Sequence, residues 1–151
     1  MIRVLVQSEA IDVAAELAAH DAGGHGASAS FVGRVRGDGG LRELFLEHHP
    51  VLTESGLAAL AAEAAARWEL AALTLIHRVG GMTPGETIVL VLASSPHRAG
   101  ALAAVEFLID RLKTDVMLWK RETFGDGRAV WVEQRGSDQA RAERWDESAS
   151  I

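Results

Sequence analysis

Cysteine is absent from all 151 residues, and that single absence removes disulfides, thiolate metal sites, iron–sulfur ligation and a cysteine nucleophile together. Also missing is any run near the roughly 20 apolar residues that a membrane helix requires. The alanine-rich segments are interrupted by Glu, Asp, His or Arg. The opening Met1-Ile2-Arg3-Val4-Leu5-Val6-Gln7-Ser8 alternates like a strand and lacks the long apolar region of a signal peptide, so a soluble, cytoplasmic protein is expected. Internal repeats and long low-complexity linkers are lacking as well. Gly23-Gly24-His25-Gly26 has neither the spacing nor the helix context of a phosphate loop, and no His-Glu-x-x-His motif occurs. His48 and His49 are adjacent and would face opposite sides of a strand. No glycine-flanked serine elbow is present. Neither a metal site nor serine hydrolysis is expected.

What remains is 48% apolar, enough for a real core, with a formal net charge of -6. That charge argues against broad binding to nucleic acid but leaves room for a local basic pocket. The pattern predicts a first strand and then a helix over 9–20 capped by Ser8. A strand over 27–36 follows, turned by Gly37-Asp38-Gly39-Gly40 into a hairpin with 41–48. Next comes a helix from near Thr53, with Leu57, Leu60, Ala61, Ala64 and Trp68 on its buried stripe. Strands follow over 73–79 and 86–93, the second continuous enough (Ile88 to Leu92) to be central in a sheet. His77 reads as a structural histidine. Gly125-Asp126-Gly127 signals a last hairpin in which Trp131 packs inward. The expected class is α+β: a mixed sheet with packed helices and a small β-rich subdomain. Residues 1–136 form the domain, and 137–151 form a polar tail with a short helix over 138–145.

The chain is organised around the stretch from Ser94 to Lys120. Ser95 is expected to cap a helix with Pro96 in its first position, which puts His97 and Arg98 in a first turn that already carries partial positive charge. Two more cations there suit an anion. Leu102, Val105, Ile109 and Leu112 are expected to face inward, with Glu106, Asp110 and Lys113 on a polar face. In the next strand Val116, Leu118, Lys120 and Glu122 share a side, placing Lys120 among apolar neighbours with Glu122 able to orient or neutralise it. The basic inventory is Arg36, His97, Arg98, Lys113, Lys120 and Arg135. Arginines hold phosphate bidentately, and a lysine supplies a compact charge, a proton or an amine. Plain structural roles stand beside these: Lys113 as a helix C-terminal charge, Lys120 snorkelling, and Arg135 on a solvated edge.

Several motifs in order resemble one family: Phe31-Val32-Gly33-Arg34-Val35-Arg36, Leu46-Glu47-His48-His49-Pro50, Ile76-His77-Arg78-Val79-Gly80, Pro84-Gly85-Glu86, Ser94-Ser95-Pro96-His97-Arg98, Leu112-Lys113-Thr114, Trp119-Lys120-Arg121-Glu122 and Trp131-Val132-Glu133-Gln134-Arg135. Across nearly the whole chain the sequence resembles the large, catalytic subunit of molybdopterin synthase. The resemblance implies a sulfurtransferase that converts cyclic pyranopterin monophosphate to molybdopterin, with no tightly bound cofactor. Sulfur would come from a small ubiquitin-like carrier ending in a Gly-Gly thiocarboxylate. It also implies a dimer of large subunits and, with two carriers, a heterotetramer. It places Lys113 and Lys120 in catalysis, Arg36, His97, Arg98 and Arg135 around the substrate phosphate, and Glu122 in support of Lys120. Pro96 stands where the family commonly has alanine, and His49 where it has tyrosine. A noncatalytic phosphometabolite-binding protein and a structural interaction subunit are the alternatives.

Overall fold

The computed structural model describes residues 1–20, 23–132 and 136–149. Its strands are β1 (Ile2–Gln7), β2 (Ala27–Arg34), β3 (Leu41–His48), β4 (Ala72–Arg78), β5 (Gly80–Met82), β6 (Thr87–Ser95), β7 (Leu118–Phe124) and β8 (Ala129–Val132). Its helices are α1 (Val13–His20), α2 (Leu52–Arg67), α3 (Arg98–Asp115) and α4 (Gly136–Ala149). The strands form two sheets, ordered β1-β4-β6-β2 and β5-β3-β7-β8, so the class is α+β as expected. Among the described residues only β1 and β4 pair in parallel; every other pairing is antiparallel.

Strand alternation divides the first sheet into two apolar faces. Leu73 and Leu75 of β4 and Val89, Val91 and Ala93 of β6 meet Leu57, Leu60, Ala61 and Ala64 of α2 and Ala104, Val105, Phe107, Leu108 and Leu112 of α3. Ile76, Leu90 and Leu92 point the other way, toward Ile11, and Val13 at the start of α1 packs there. β6 lies between β4 and β2, the central place its apolar run predicts. The α2 stripe is the predicted one, and Trp68 anchors it edge-on to Phe107 and Trp145. A smaller cluster of Val35, Leu44, Leu46 and Met82 joins the second sheet to the first.

The expected hairpin of 27–36 with 41–48 is not formed, because β2 pairs with β6 and β3 with β5 and β7. The register slips between Gly33 and Arg34, and Val35 then exchanges backbone hydrogen bonds with Gly85 and Glu86. The chain thereby leaves the first sheet, and a 3-10 turn over Asp38–Gly40 delivers it to the second. The first helix starts at Val13 and not near Ser8, since Asp12 Oδ1 accepts the Ala15 N–H at 3.1 Å as a cap. β7 begins at Leu118, two residues later than read, because α3 runs on to Asp115. The β7–β8 hairpin is present, but Trp131 is 53% exposed, its ring beside the Arg121 guanidinium on the outer face.

Candidate active site

Both ends of α3 carry candidate residues. At its start the cap is His97, in extended conformation, and Arg98 is the first helical residue. The expected Ser95 cap and Pro96 first position are displaced by two residues: Ser95 completes β6 and its Oγ accepts the His97 N–H at 3.4 Å. His97 and Arg98 are exposed side by side at the helix entrance. The buried face keeps the predicted Val105, Leu112 and, in part, Ile109, but not Leu102. Ala101, Ala104, Val105, Phe107, Leu108 and Leu112 are inside, whereas Leu102 is 62% exposed.

Leu102 instead helps line a groove of about 550 Å3, whose apolar floor also includes Phe31, Val105 and Ile109. Lys113, Glu106, Asp110, Asp138 and Arg141 form its polar rim. Lys113 Nζ is 3.7 Å from Asp138 Oδ1 and its side chain is 50% exposed. Asp138 and Arg141 come from α4, which lies along α3. Asp110 accepts from Trp145 Nε1 at 2.8 Å, Arg141 Nε at 3.0 Å and Arg144 Nη2 at 2.9 Å. Burial pushes its carboxyl up, but the bonds from Trp145, Arg141 and Arg144 outweigh that and hold it below the ordinary carboxylate range. Sequence reading passed over Phe31, Asp138 and Arg141 as site residues. Charges at 138, 141 and 144 share one helical face and complement 106, 110 and 113, a signal available in the spacing.

Lys120 lies opposite Leu46 on one side and Val132 on the other, and Glu122 lies opposite Leu44 and Val130. Directly paired residues share a face, so Lys120 and Glu122 emerge on the side of the buried Leu44 and Leu46. The Lys120 residue is itself exposed, as a snorkelling lysine would be. Its charge reaches His77, which is 4% exposed and bonded through Nδ1 to the Arg78 carbonyl at 2.8 Å. Burial first, opposed by that bond and helped by Lys120, lowers the His77 pKa to about 4. His77 is thus the neutral structural histidine the sequence suggests. Arg36 lies beyond the end of β2, its side chain 70% exposed and 4.0 Å from Asp38. Arg135 lies outside the described residues.

Two of these groups stand far apart within a single chain. Arg98 and Lys113 are fifteen residues apart on a continuous helix, about 22 Å along its axis at ~1.5 Å per residue. Among the described residues no group of three or more His, Asp or Glu could hold a metal ion, and no helix is long and apolar enough to cross a membrane.

Residues 6–115 match the family described as MoaE protein. A relative from Pseudomonas aeruginosa named molybdopterin synthase catalytic subunit is 46% identical over 149 residues, covering 95% of this chain and 99% of the relative. Among solved structures, the molybdopterin biosynthesis MoaE protein from Burkholderia ambifaria superposes with a TM-score of 0.83 at 40% identity, covering 97% and 99% of the two chains. A chain from the complex of subunits 1 and 2 of molybdopterin-converting factor from Helicobacter pylori has a TM-score of 0.73 over 89% of this chain and 91% of its own, and at 21% identity it shows the fold alone.

Proposed function

The chain belongs to the MoaE protein family, and from that membership we propose how it works as a molybdopterin synthase catalytic subunit. The substrate is cyclic pyranopterin monophosphate. Two sulfur atoms arrive one after the other on a small carrier ending in a Gly-Gly thiocarboxylate, and the cyclic phosphate opens as the dithiolene forms. The carrier supplies the sulfur, which accords with a chain that has no cysteine of its own.

The observation that carries this reading is the groove along α3, with Lys113, in the last turn of the helix, on the rim of an apolar floor. An extended carrier tail fits such a channel, its reacting carbonyl beside the lysine. Lys113 stabilises charge on that carbonyl oxygen or transfers a proton to it. Lys120 has the complementary acid–base role, oriented by Glu122. His97, Arg98 and Arg36 hold the phosphate, and Arg135 completes the pocket. Because Arg98 and Lys113 stand so far apart, the phosphate site on one Lys113 draws His97 and Arg98 from a second large subunit. The active assembly is a dimer of this chain with a carrier on each, working in the cytoplasm.

The test is mass-spectrometric product analysis after mixing the purified chain, thiocarboxylated carrier and cyclic pyranopterin monophosphate, with Lys113→Ala in parallel. Doubly sulfurated pterin from the native chain and much less from the variant is the expected result. Binding of both reactants without product would instead favour a phosphometabolite-binding protein.

A further inference from the structure

The two candidate lysines sit on different elements, and only Val116 and Met117 join those elements. Lys113 is in the last turn of α3 and Lys120 is the third residue of β7. Whatever fixes this two-residue joint fixes where one lysine stands relative to the other. Val116 is anchored by its side chain in the core. Met117 is held by its backbone, and its partner comes from a third element.

That partner is Thr53, in the first turn of α2 and 0% exposed. Its Oγ1 donates to the Met117 carbonyl at 2.6 Å and accepts the His49 N–H at 2.8 Å. Accepting from one side and donating to the other leaves its hydroxyl proton a single direction. The His49 turn is rigid in its own right. His49 Nδ1 accepts the N–H groups of Val51 at 3.2 Å and Leu52 at 3.0 Å, and Thr53 N–H returns to the His49 carbonyl at 3.1 Å. His48 pairs with Leu118, so the strand preceding this turn is also registered against the start of β7. Gly56, one turn further along α2, lies against Asp115 and Val116 with a Cβ position 3.9 Å from each.

We propose that Thr53 is a positioning residue for the sulfur-transfer site: its hydroxyl, bridging the His49 amide and the Met117 carbonyl, sets the spacing and orientation of Lys113 relative to Lys120. This rests on the reading that those two lysines flank the reacting groups. Catalytic groups misplaced by an ångström lose much of their effect while the substrate's remote contacts persist.

Three proteins test it: the native chain, Thr53→Val, which keeps the shape and removes the bridge, and Thr53→Ser, which restores the hydroxyl. Turnover with thiocarboxylated carrier and cyclic pyranopterin monophosphate is read together with backbone hydrogen exchange over 116–120. For Thr53→Val the expectation is a kcat lowered about tenfold or more with KM little changed, and faster exchange over 116–120. Thr53→Ser should match the native chain in both. A Thr53→Val protein with native kcat, or a Thr53→Ser protein as impaired as Thr53→Val, overturns the proposal. If the native chain itself makes no product, the functional reading of the site fails; unchanged exchange in Thr53→Val would then overturn the structural bridge separately.

Discussion

A Cβ built on Gly26 would stand 2.0 Å from the carbonyl oxygen of Pro96. The start of β2 thus passes directly against the turn that presents His97 and Arg98. Backbone cannot yield as a flexible side chain can, so Gly26→Ala must move the Pro96 turn or the strand. The expected outcome is weaker phosphate binding, a several-fold higher KM for the cyclic phosphate substrate, with stability lowered by roughly 1–3 kcal/mol. Steady-state kinetics and thermal denaturation of the variant check both.

His77 makes stability depend on pH. Its pKa is lowered from 6.5 to about 4 in the fold, so between those values the unfolded chain binds a proton that the native chain refuses. Stability is therefore whole above pH 6.5 and declines as the pH falls toward 4, by up to about 3 kcal/mol. Glu86 acts in the same direction over a lower window. Hydrogen bonds from Arg78 and then from Thr83 lower its pKa from 4.5 to about 2. Chemical denaturation between pH 7 and 4 should show the loss in the native chain, and His77→Gln should flatten it. NMR titration of His77 in a Lys120→Ala variant should find its pKa raised, because the Lys120 charge that opposes protonation is gone.

Asp110 ties α4 to the groove. Asp110→Ala leaves Trp145 Nε1 without its acceptor and Arg141 and Arg144 still bonded to Glu106. Both guanidinium side chains are about half exposed, which holds the expected loss to about 2 kcal/mol, below that of a wholly buried network. The loss should fall on α4 and spare the sheet. Limited trypsin digestion should cut at Arg141 and Arg144 in the variant well before the native chain, while circular dichroism of the remainder is unchanged.

The parts of this fold legible in the sequence are those where one periodicity has one solution. The α2 stripe of Leu57, Leu60, Ala61 and Ala64 and the central strand β6 are of that kind. In α3 the spacing of large residues picks out Leu102, yet the helix turns small alanines at 101 and 104 to the sheet and leaves Leu102 on the groove. Alanine offers close approach without a strong hydrophobic signal, so the pattern finds Val105, Ile109 and Leu112 but places Leu102 inside and misses the alanines. The turn after β2 looks like a hairpin because glycines there satisfy local geometry. The partner of β3 is decided by burial of Leu44 and Leu46 against Val35 and Met82, a long-range contact that no local window contains. The groove's second wall escapes for a similar reason. Asp138 and Arg141 read as a polar tail until α4 is laid along α3.

The separation of Arg98 from Lys113 leads to a test of the proposed two-chain site that uses only variants expected to be inactive. Arg98→Ala removes the phosphate contact that the proposed function assigns to the neighbouring subunit, and Lys113→Ala removes the groove lysine. Each homodimer then has both sites broken, by different losses. When the two variants are mixed, unfolded and refolded together, half of the dimers are mixed. In a mixed dimer one site gathers an intact Lys113 from one chain and an intact Arg98 from the other, and the second site gathers both defects. Random assortment therefore predicts recovery of about one quarter of native activity from two inactive parents. If each site were built from a single chain, every site in every dimer would retain one defect and mixing would restore nothing. Size-exclusion chromatography of the refolded mixture establishes that dimers have formed, so an absence of recovery would count against the two-chain site and not against assembly.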